Sequence, residues 1–473
     1  MKKIQFVLVI IFLSSLFLAQ SCSSCNKRHR KDDKDSAFAK GKVIEQVKCK
    51  KDISQSYSLY LPFNYSEDKK WPVVYAFDAH GKGSLPVELF KDMAEKYGYI
   101  IIGSNNSKNG TPIATTSEIY DTLYSDTHRR FSIDDNRIYT AGFSGGSRVA
   151  SYVAIEKGKI VAVIGCGAGF GPQAQPKQKF GYFGIAGRED MNLNEMILLD
   201  TALAKAGYTH YLETFDGKHE WPPKTVVADA FLWIELKAMK DKIKTTDDTL
   251  LKGLLGRWKE DYKSLTEKDK KYYDGYLLCN KVLSYLDELT DVSFFKTEKS
   301  TLEKNAVIIQ KRKHLDEIAI KESEQQAYYL KALSTQSLAW WQTQVAQINQ
   351  KIKSTSDDDE KYMYKRVLNY LSLAVYMNIS SMMKSGQFDQ AETFNTIYAL
   401  VDPENPEHAY ISATLSMKKG KTSDAITYLE KAAALGFTET SRLETDTVMT
   451  SLKQQEKYSK ILETIKENAN KKK

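Results

Sequence analysis

The stretch Arg137-Ile138-Tyr139-Thr140-Ala141-Gly142-Phe143-Ser144-Gly145-Gly146 decides how the first half of this chain is read. An apolar run with two β-branched residues and a tyrosine suits a buried strand. It passes straight into Gly-x-Ser-x-Gly, a turn so sharp that a Cβ at either flanking glycine would strike the neighbouring helix or strand. A serine on such a strand–turn–helix junction has its hydroxyl lifted clear of the backbone. The pentapeptide alone is weak, because a chain with 25 glycines meets it by chance. An acid and a base must therefore be found around it.

Outward from Ser144, residues 41–242 alternate short β-like runs with helical stretches. Val43–Val47 and Tyr57–Leu61 read as a first pair of strands. Val73–Phe77 follows Pro72, and a helix over Leu85–Tyr97 leads to Tyr99–Gly103. An amphipathic stretch, Thr116–Arg130, precedes Ile138–Ala141. Ile160–Gly165, Phe180–Ala186 and Tyr208–Phe215 complete the strand candidates. Continuously apolar runs of this kind suit strands buried on both faces, so the fold class expected is α/β, a mostly parallel sheet flanked by helices.

Two loops after Ser144 hold the missing groups. Phe183–Ala186 runs into Gly187-Arg188-Glu189-Asp190, which puts Asp190 at the carboxyl end of a strand, with Glu189 as rival acid. His210–Phe215 runs into Asp216-Gly217-Lys218-His219, which puts His219 in the next such loop. Each interval leaves room for one helix and one strand. A serine hydroxyl is a poor nucleophile at neutral pH, so His219 would take its proton while Asp190 holds the imidazole tautomer. A developing oxyanion needs two pre-aimed N–H donors, and the loss of one costs ~10²–10³ in turnover. Gly145 is one expected donor. The other is expected from Asp78-Ala79-His80-Gly81, with Ala79 and His80 as the candidates. Trp221 is expected to wall the cleft or to pack beneath it. No metal and no cofactor is called for.

These motifs, in this order, resemble the α/β-hydrolase superfamily. Tyr60-Leu61-Pro62, Pro72-Val73-Val74-Tyr75, Ala141–Gly146, Gly187–Asp190 and Gly217-Lys218-His219-Glu220-Trp221 carry the likeness. Within the superfamily, residues 41–242 are similar to the feruloyl/acetylxylan-esterase and polyhydroxybutyrate-depolymerase-like group. The resemblance implies a serine carboxylesterase working through an acyl-enzyme on Ser144, on acyl or feruloyl esters of carbohydrate. Asp78-Ala79 stands where relatives carry an apolar run into His-Gly, which leaves the second donor open. The short interval from Gly165 to Phe180 leads us to expect no large lid and an open cleft. Two alternatives remain: a serine peptidase, and a non-catalytic interaction protein.

Beyond residue 243 Lys, Glu, Leu and Tyr dominate and helical periodicity takes over. A helical segment is expected over 243–355 and tetratricopeptide-like repeats over 356–473. Gly386-Gln387-Phe388-Asp389-Gln390-Ala391 aligns with Gly420-Lys421-Thr422-Ser423-Asp424-Ala425, 34 residues on, and Phe394 with Tyr428. That period is the tetratricopeptide one, with Ala391 and Ala425 as the small residues at a helix crossing and Gly386 and Gly420 as turns. Helices at 324–353 and 361–384 are expected to complete the stack. A protein partner docked in a concave groove, and plain packing on the first domain, are equal readings of these helices.

At the other end, Lys2-Lys3, the apolar run Ile4–Ala19 and Gln20-Ser21-Cys22 read as an export signal. The run is shorter than the roughly 20 apolar residues of a membrane span. It resembles a bacterial lipoprotein signal over 1–21, with Cys22 lipidated and 22–40 as a polar tether. The expected location is the cell envelope, anchored by lipid to the outer membrane. Net charge is +8, but Lys and Arg are spread widely with no basic stripe among aromatics, so nucleic acid is not an expected partner. Hydrophobic residues make up 42% and charged ones 27%, enough apolar material for real cores. Five cysteines are too few and too scattered for a disulfide framework.

Overall fold

The computed structural model describes residues 38–171, 174 and 176–471. The expected signal, Cys22 and most of the tether lie outside them. No helix of the described residues is long and apolar enough to cross a membrane.

Eight strands form one sheet: Val43–Lys48 (β1), Ser56–Tyr60 (β2), Trp71–Phe77 (β3), Ile100–Ser104 (β4), Ile133–Phe143 (β5), Ile160–Cys166 (β6), Gly181–Gly187 (β7) and His210–Phe215 (β8). Their order is β1-β2-β4-β3-β5-β6-β7-β8. β1 with β2 and β2 with β4 are antiparallel; every later pair is parallel. All seven residues of β3 are buried, and so are the last six of β5, as strands covered by helices on both faces require. The helices between them are Ser84–Tyr97 (α1), Ile113–Arg130 (α2), Gly145–Lys157 (α3) and Leu193–Lys205 (α4), and Lys224–Lys240 (α5) follows β8. This mixed sheet with flanking helices fits an α/β-hydrolase fold. In the last turn of α2, His128 stacks its ring on Tyr124 at 3.8 Å with Nδ1 on the Tyr124 carbonyl.

From residue 248 onward the described chain is helical: Asp248–Lys263 (α6), Tyr272–Leu286 (α7), Ser293–Leu302 (α8), Ala306–Ala332 (α9), Leu338–Ser354 (α10), Asp358–Lys384 (α11), Phe388–Val401 (α12), Pro406–Lys418 (α13), Thr422–Ala434 (α14), Thr440–Thr445 (α15) and Glu456–Lys471 (α16). The helix expected at 324–353 is two helices. The chain breaks after Ala332, and the Ser337 side chain caps α10 by accepting the Trp340 N–H. Asp357 caps α11 in the same way, accepting from Asp359 and Glu360.

The 243–355 segment divides between two cores. Leu251, Trp258, Tyr262, Val282, Tyr285 and Phe295 join the core under the sheet, where Tyr285 meets Phe183 and Trp258 edge-on. Ile318, Tyr329, Trp341 and Ile348 join a second core with α11 and α12. A third core holds α14, α16 and one face of α13. The aligned glycines, Gly386 and Gly420, both have φ of +72° and turn the chain between antiparallel neighbours, α11 into α12 and α13 into α14. Ala391 and Ala425 are fully buried at the start of the following helices.

Candidate active site

Ser144 sits between β5 and α3 with φ 54° and ψ −121°, a left-handed backbone that a β-carbon disfavours. The turn holds because its surroundings leave no room for another path. A Cβ on Gly142 would lie 2.1 Å from the Gly146 carbonyl, and one on Gly146 would lie 2.0 Å from the Phe77 carbonyl. The first clash is with the helix and the second with the neighbouring strand. The Ser144 N–H donates to the Cys166 carbonyl at 2.8 Å, tying the turn to the end of β6.

The two loops expected to supply acid and base converge on it. His219 Nε2 is 2.9 Å from Ser144 Oγ, and His219 Nδ1 is 2.9 Å from Asp190 Oδ1. Asp190 is 1% exposed and its Oδ1 also accepts the Asn192 N–H at 2.9 Å. Asp190 Oδ2 is buried with no hydrogen-bond partner among the described residues. Gly167 closes over this pair: a Cβ there would stand 3.0 Å from Asp190 Oδ2 and 3.1 Å from His219 Cε1. The imidazole packs on Phe143 with ring centroids 4.7 Å apart. Glu189, the rival acid, is turned away, with Oε1 2.6 Å from Lys365 Nζ.

The structure separates the two oxyanion candidates. The His80 N–H is spent on Asp78 Oδ1 at 2.9 Å, and its side chain is 67% exposed. Ala79 is buried, its carbonyl accepts the Asn109 N–H at 2.8 Å, and its own N–H makes no hydrogen bond among the described residues. Gly145 N–H, at the positive end of α3, is likewise without a hydrogen bond there. His80 therefore drops out as a donor, and Ala79 and Gly145 remain.

Sequence reasoning missed the residue that builds this loop. Asp78, 3% exposed, accepts N–H bonds from His80 and Lys82 and, through Oδ2, the indole N–H of Trp221 at 3.0 Å. Its one sequence signal was the break in the apolar run before His80. Trp221 lies 5.6 Å from Phe143 and 5.9 Å from Phe90, centroid to centroid, so it packs under the site and braces the loop at once. Asn109 was also missed; its Oδ1 stands so near Gly145 that a Cβ there would overlap it at 1.7 Å. Beside the site, Arg148 grips both oxygens of Glu195 at 2.9 and 2.8 Å, and the Gly169 N–H adds a third bond at 2.9 Å. Burial pushes the Glu195 carboxyl up, but these two partners outweigh it and hold the group below the ordinary glutamate range.

The helical region reaches the site from two sides. Tyr362, Lys365, Arg366 and Asn369 of α11 contact the loops that carry the acid and the base. On the opposite rim, Lys82 Nζ lies 3.9 Å from Glu439 Oε1, just before α15. The expected uncovered cleft is thus flanked by C-terminal helices, a contact no local motif announces. Farther off, His314, Asp357 and Asp359 come together, but Asp357 is the cap of α11 and Lys311 already bonds Asp359.

Cys49, Cys166 and Cys279 are free and buried. Burial pushes the Cys49 and Cys279 thiols up to about 12, which leaves them unreactive.

Neither a family model nor a curated protein matches this sequence. Among solved structures, a thermostable esterase is 14% identical with a TM-score of 0.31, covering 40% of this chain and 60% of its own. The fluorophosphonate-binding serine hydrolase F of Staphylococcus aureus is 14% identical at 0.34, covering 38% of this chain and 92% of its own. A feruloyl esterase module of Clostridium thermocellum is 16% identical at 0.34, covering 40% and 85%. At such scores the functional reading rests on the side chains themselves.

Proposed function

We propose that this protein is a serine hydrolase that cleaves carboxylic esters through an acyl-enzyme on Ser144. The observation that carries the reading is His219, bridging Ser144 Oγ and Asp190 Oδ1 at 2.9 Å on each side. His219 Nε2 takes the hydroxyl proton as Ser144 Oγ attacks the ester carbonyl. Asp190 fixes Nδ1 as the protonated nitrogen and stabilises the imidazolium that forms. The oxyanion is met by the N–H groups of Gly145 and Ala79. His219 then returns its proton to the departing alcohol, and water releases the acyl group by the same steps in reverse.

The test is a Ser144→Ala variant assayed on aryl acetates and with a fluorophosphonate probe. Loss of both hydrolysis and labelling supports the reading, and hydrolysis at the parent rate would sink it. Esters of carbohydrate with acyl or feruloyl groups are the proposed natural class, in keeping with the motif resemblance; a panel of those against peptides separates esterase from peptidase. For the C-terminal helices we propose tetratricopeptide-like repeats over 356–473. For residues 1–21 we propose a lipoprotein signal, with lipid on Cys22 anchoring the enzyme in the cell envelope. Retention of the Cys22→Ser variant in the membrane fraction would count against that anchor.

A further inference from the structure

We propose that α11 belongs to the catalytic assembly, with Arg366 and Asn369 acting as positioning residues for Asp190. The inference rests on the triad reading above and adds to it residues some 180 positions away in the chain.

β7 ends at Gly187, so Asp190 hangs three residues out on a loop. A carboxylate that must meet Nδ1 needs placement to within about 0.5 Å, and loops alone seldom give it. The backbone groups of the two intervening residues are all spent. The Arg188 N–H donates to the Phe215 carbonyl at 2.8 Å and the Glu189 N–H to the Gly217 carbonyl at 2.9 Å, which locks the acid loop to the base loop. The two carbonyls point the other way. Arg188 O accepts from Arg366 Nη1 at 2.9 Å, and Glu189 O accepts from Asn369 Nδ2 at 2.7 Å. One face of the loop is thus held by the sheet and the other by α11.

The same helix adds side-chain grips. Lys365 bonds the Glu189 carboxylate, and the Tyr362 hydroxyl donates to Asp216 in the base loop at 3.1 Å. The Arg188 guanidinium lies 5.8 Å from the centre of the Tyr362 ring. These residues recur every three or four positions, so they form one face of α11.

Arg366 is itself immobilised from behind. Its Nε and Nη2 clasp the Glu322 carboxylate of α9, with Glu322 0% and Arg366 6% exposed. A buried ion pair recovers its desolvation cost only when its remaining donors are satisfied. Here the remaining donor, Nη1, is spent across the boundary on the acid loop and not within the helical region. The helices therefore act as a rigid brace, and a shift of α11 is transmitted to the Asp190–His219 bond.

The test uses the full chain with 15N-labelled histidine and two variants. Glu322→Met with Arg366→Met replaces the ion pair by apolar side chains of similar volume, and Asn369→Leu removes the other donor. Melting curves confirm folding, and if the double variant does not fold, Asn369→Leu decides. The expected result is a fall in kcat of roughly 10- to 100-fold on an aryl ester with KM within about twofold. The low-field Nδ1–H resonance of His219, identified by its loss in Asp190→Asn, should shift or broaden in the same variants. Unchanged kcat and an unchanged resonance in folded variants would overturn the proposal, as would a resonance indifferent to Asp190→Asn. A wild-type protein that shows the resonance but neither hydrolyses esters nor labels at Ser144 would defeat the esterase reading instead; the resonance in the variants would still decide the brace.

Discussion

The indole N–H of Trp221 reaches 3.0 Å across the site to Asp78 Oδ2, joining the loop after the base to the loop that supplies Ala79. Asp78 in turn holds the His80 and Lys82 N–H groups through its other oxygen. With both oxygens occupied by neighbouring donors, this buried carboxylate shapes the turn that leaves the Ala79 N–H free.

Asp78→Ala should therefore lower kcat on an aryl ester by about 10²–10³, the usual loss for one oxyanion donor. Trp221→Phe keeps the ring contacts with Phe143 and Phe90 and removes a single hydrogen bond, so its loss should stay below tenfold. Steady-state kinetics on the two variants checks the ranking; equal losses would place the effect in packing and not in the loop.

Asp190→Asn retains the shape of the acid but presents the wrong partner to His219 Nδ1. A fall of about 10⁴ in kcat is expected, as for other triads losing the tautomer-fixing carboxylate. Glu189→Gln, which touches Lys365 and not His219, should cost less than tenfold. Rates of fluorophosphonate labelling at Ser144 give the comparison without a substrate.

Why the grouping of Ser144, Asp190 and His219 could be read from the sequence while the α11 contacts to it could not follows from the range of the contacts. Ser144, Asp190 and His219 each lie in the turn or loop that follows a strand of the same sheet, so local periodicity and turn residues place them in order. Ala79 and His80 were equal in the sequence, because what separates them is one hydrogen bond to Asp78. Arg366 and Glu322 look like ordinary charges on helical faces. Only the packing of α9, α11 and the acid loop shows that they are buried and paired. The same holds for α6–α8, whose apolar residues carry no label saying they cover the sheet.

Gly146→Ala should be among the most damaging single-methyl changes in the described residues. The new Cβ would sit 2.0 Å from the Phe77 carbonyl, a backbone atom of a central strand that cannot swing aside. Overpacking of a rigid site costs about 1–3 kcal/mol or more, so thermal denaturation should shift down by several degrees. An unchanged melting temperature would mean that β3 and α3 can separate, contrary to the close contact of Gly146 with the Phe77 carbonyl.

The helical region should lose stability as the pH falls, through His408 on α13. Burial lowers its pKa below the ordinary value, outweighing the Pro403 carbonyl that its Nε2 faces at 3.1 Å. The residue is 2% exposed and stands in the first turn of its helix, whose positive end also disfavours an imidazolium. With the folded pKa lower than the unfolded one, the unfolded chain binds more protons between the two values. Stability is thus full above about 6.5, the unperturbed histidine value, and declines as the pH drops below it until the folded group also titrates. His128 is shifted in the same direction by burial and adds to the slope over the histidine range. His408→Gln isolates one of them: hydrogen exchange in α12–α14 should become less pH-dependent between pH 7 and 5. A pH dependence identical to that of the parent would remove His408 from the account.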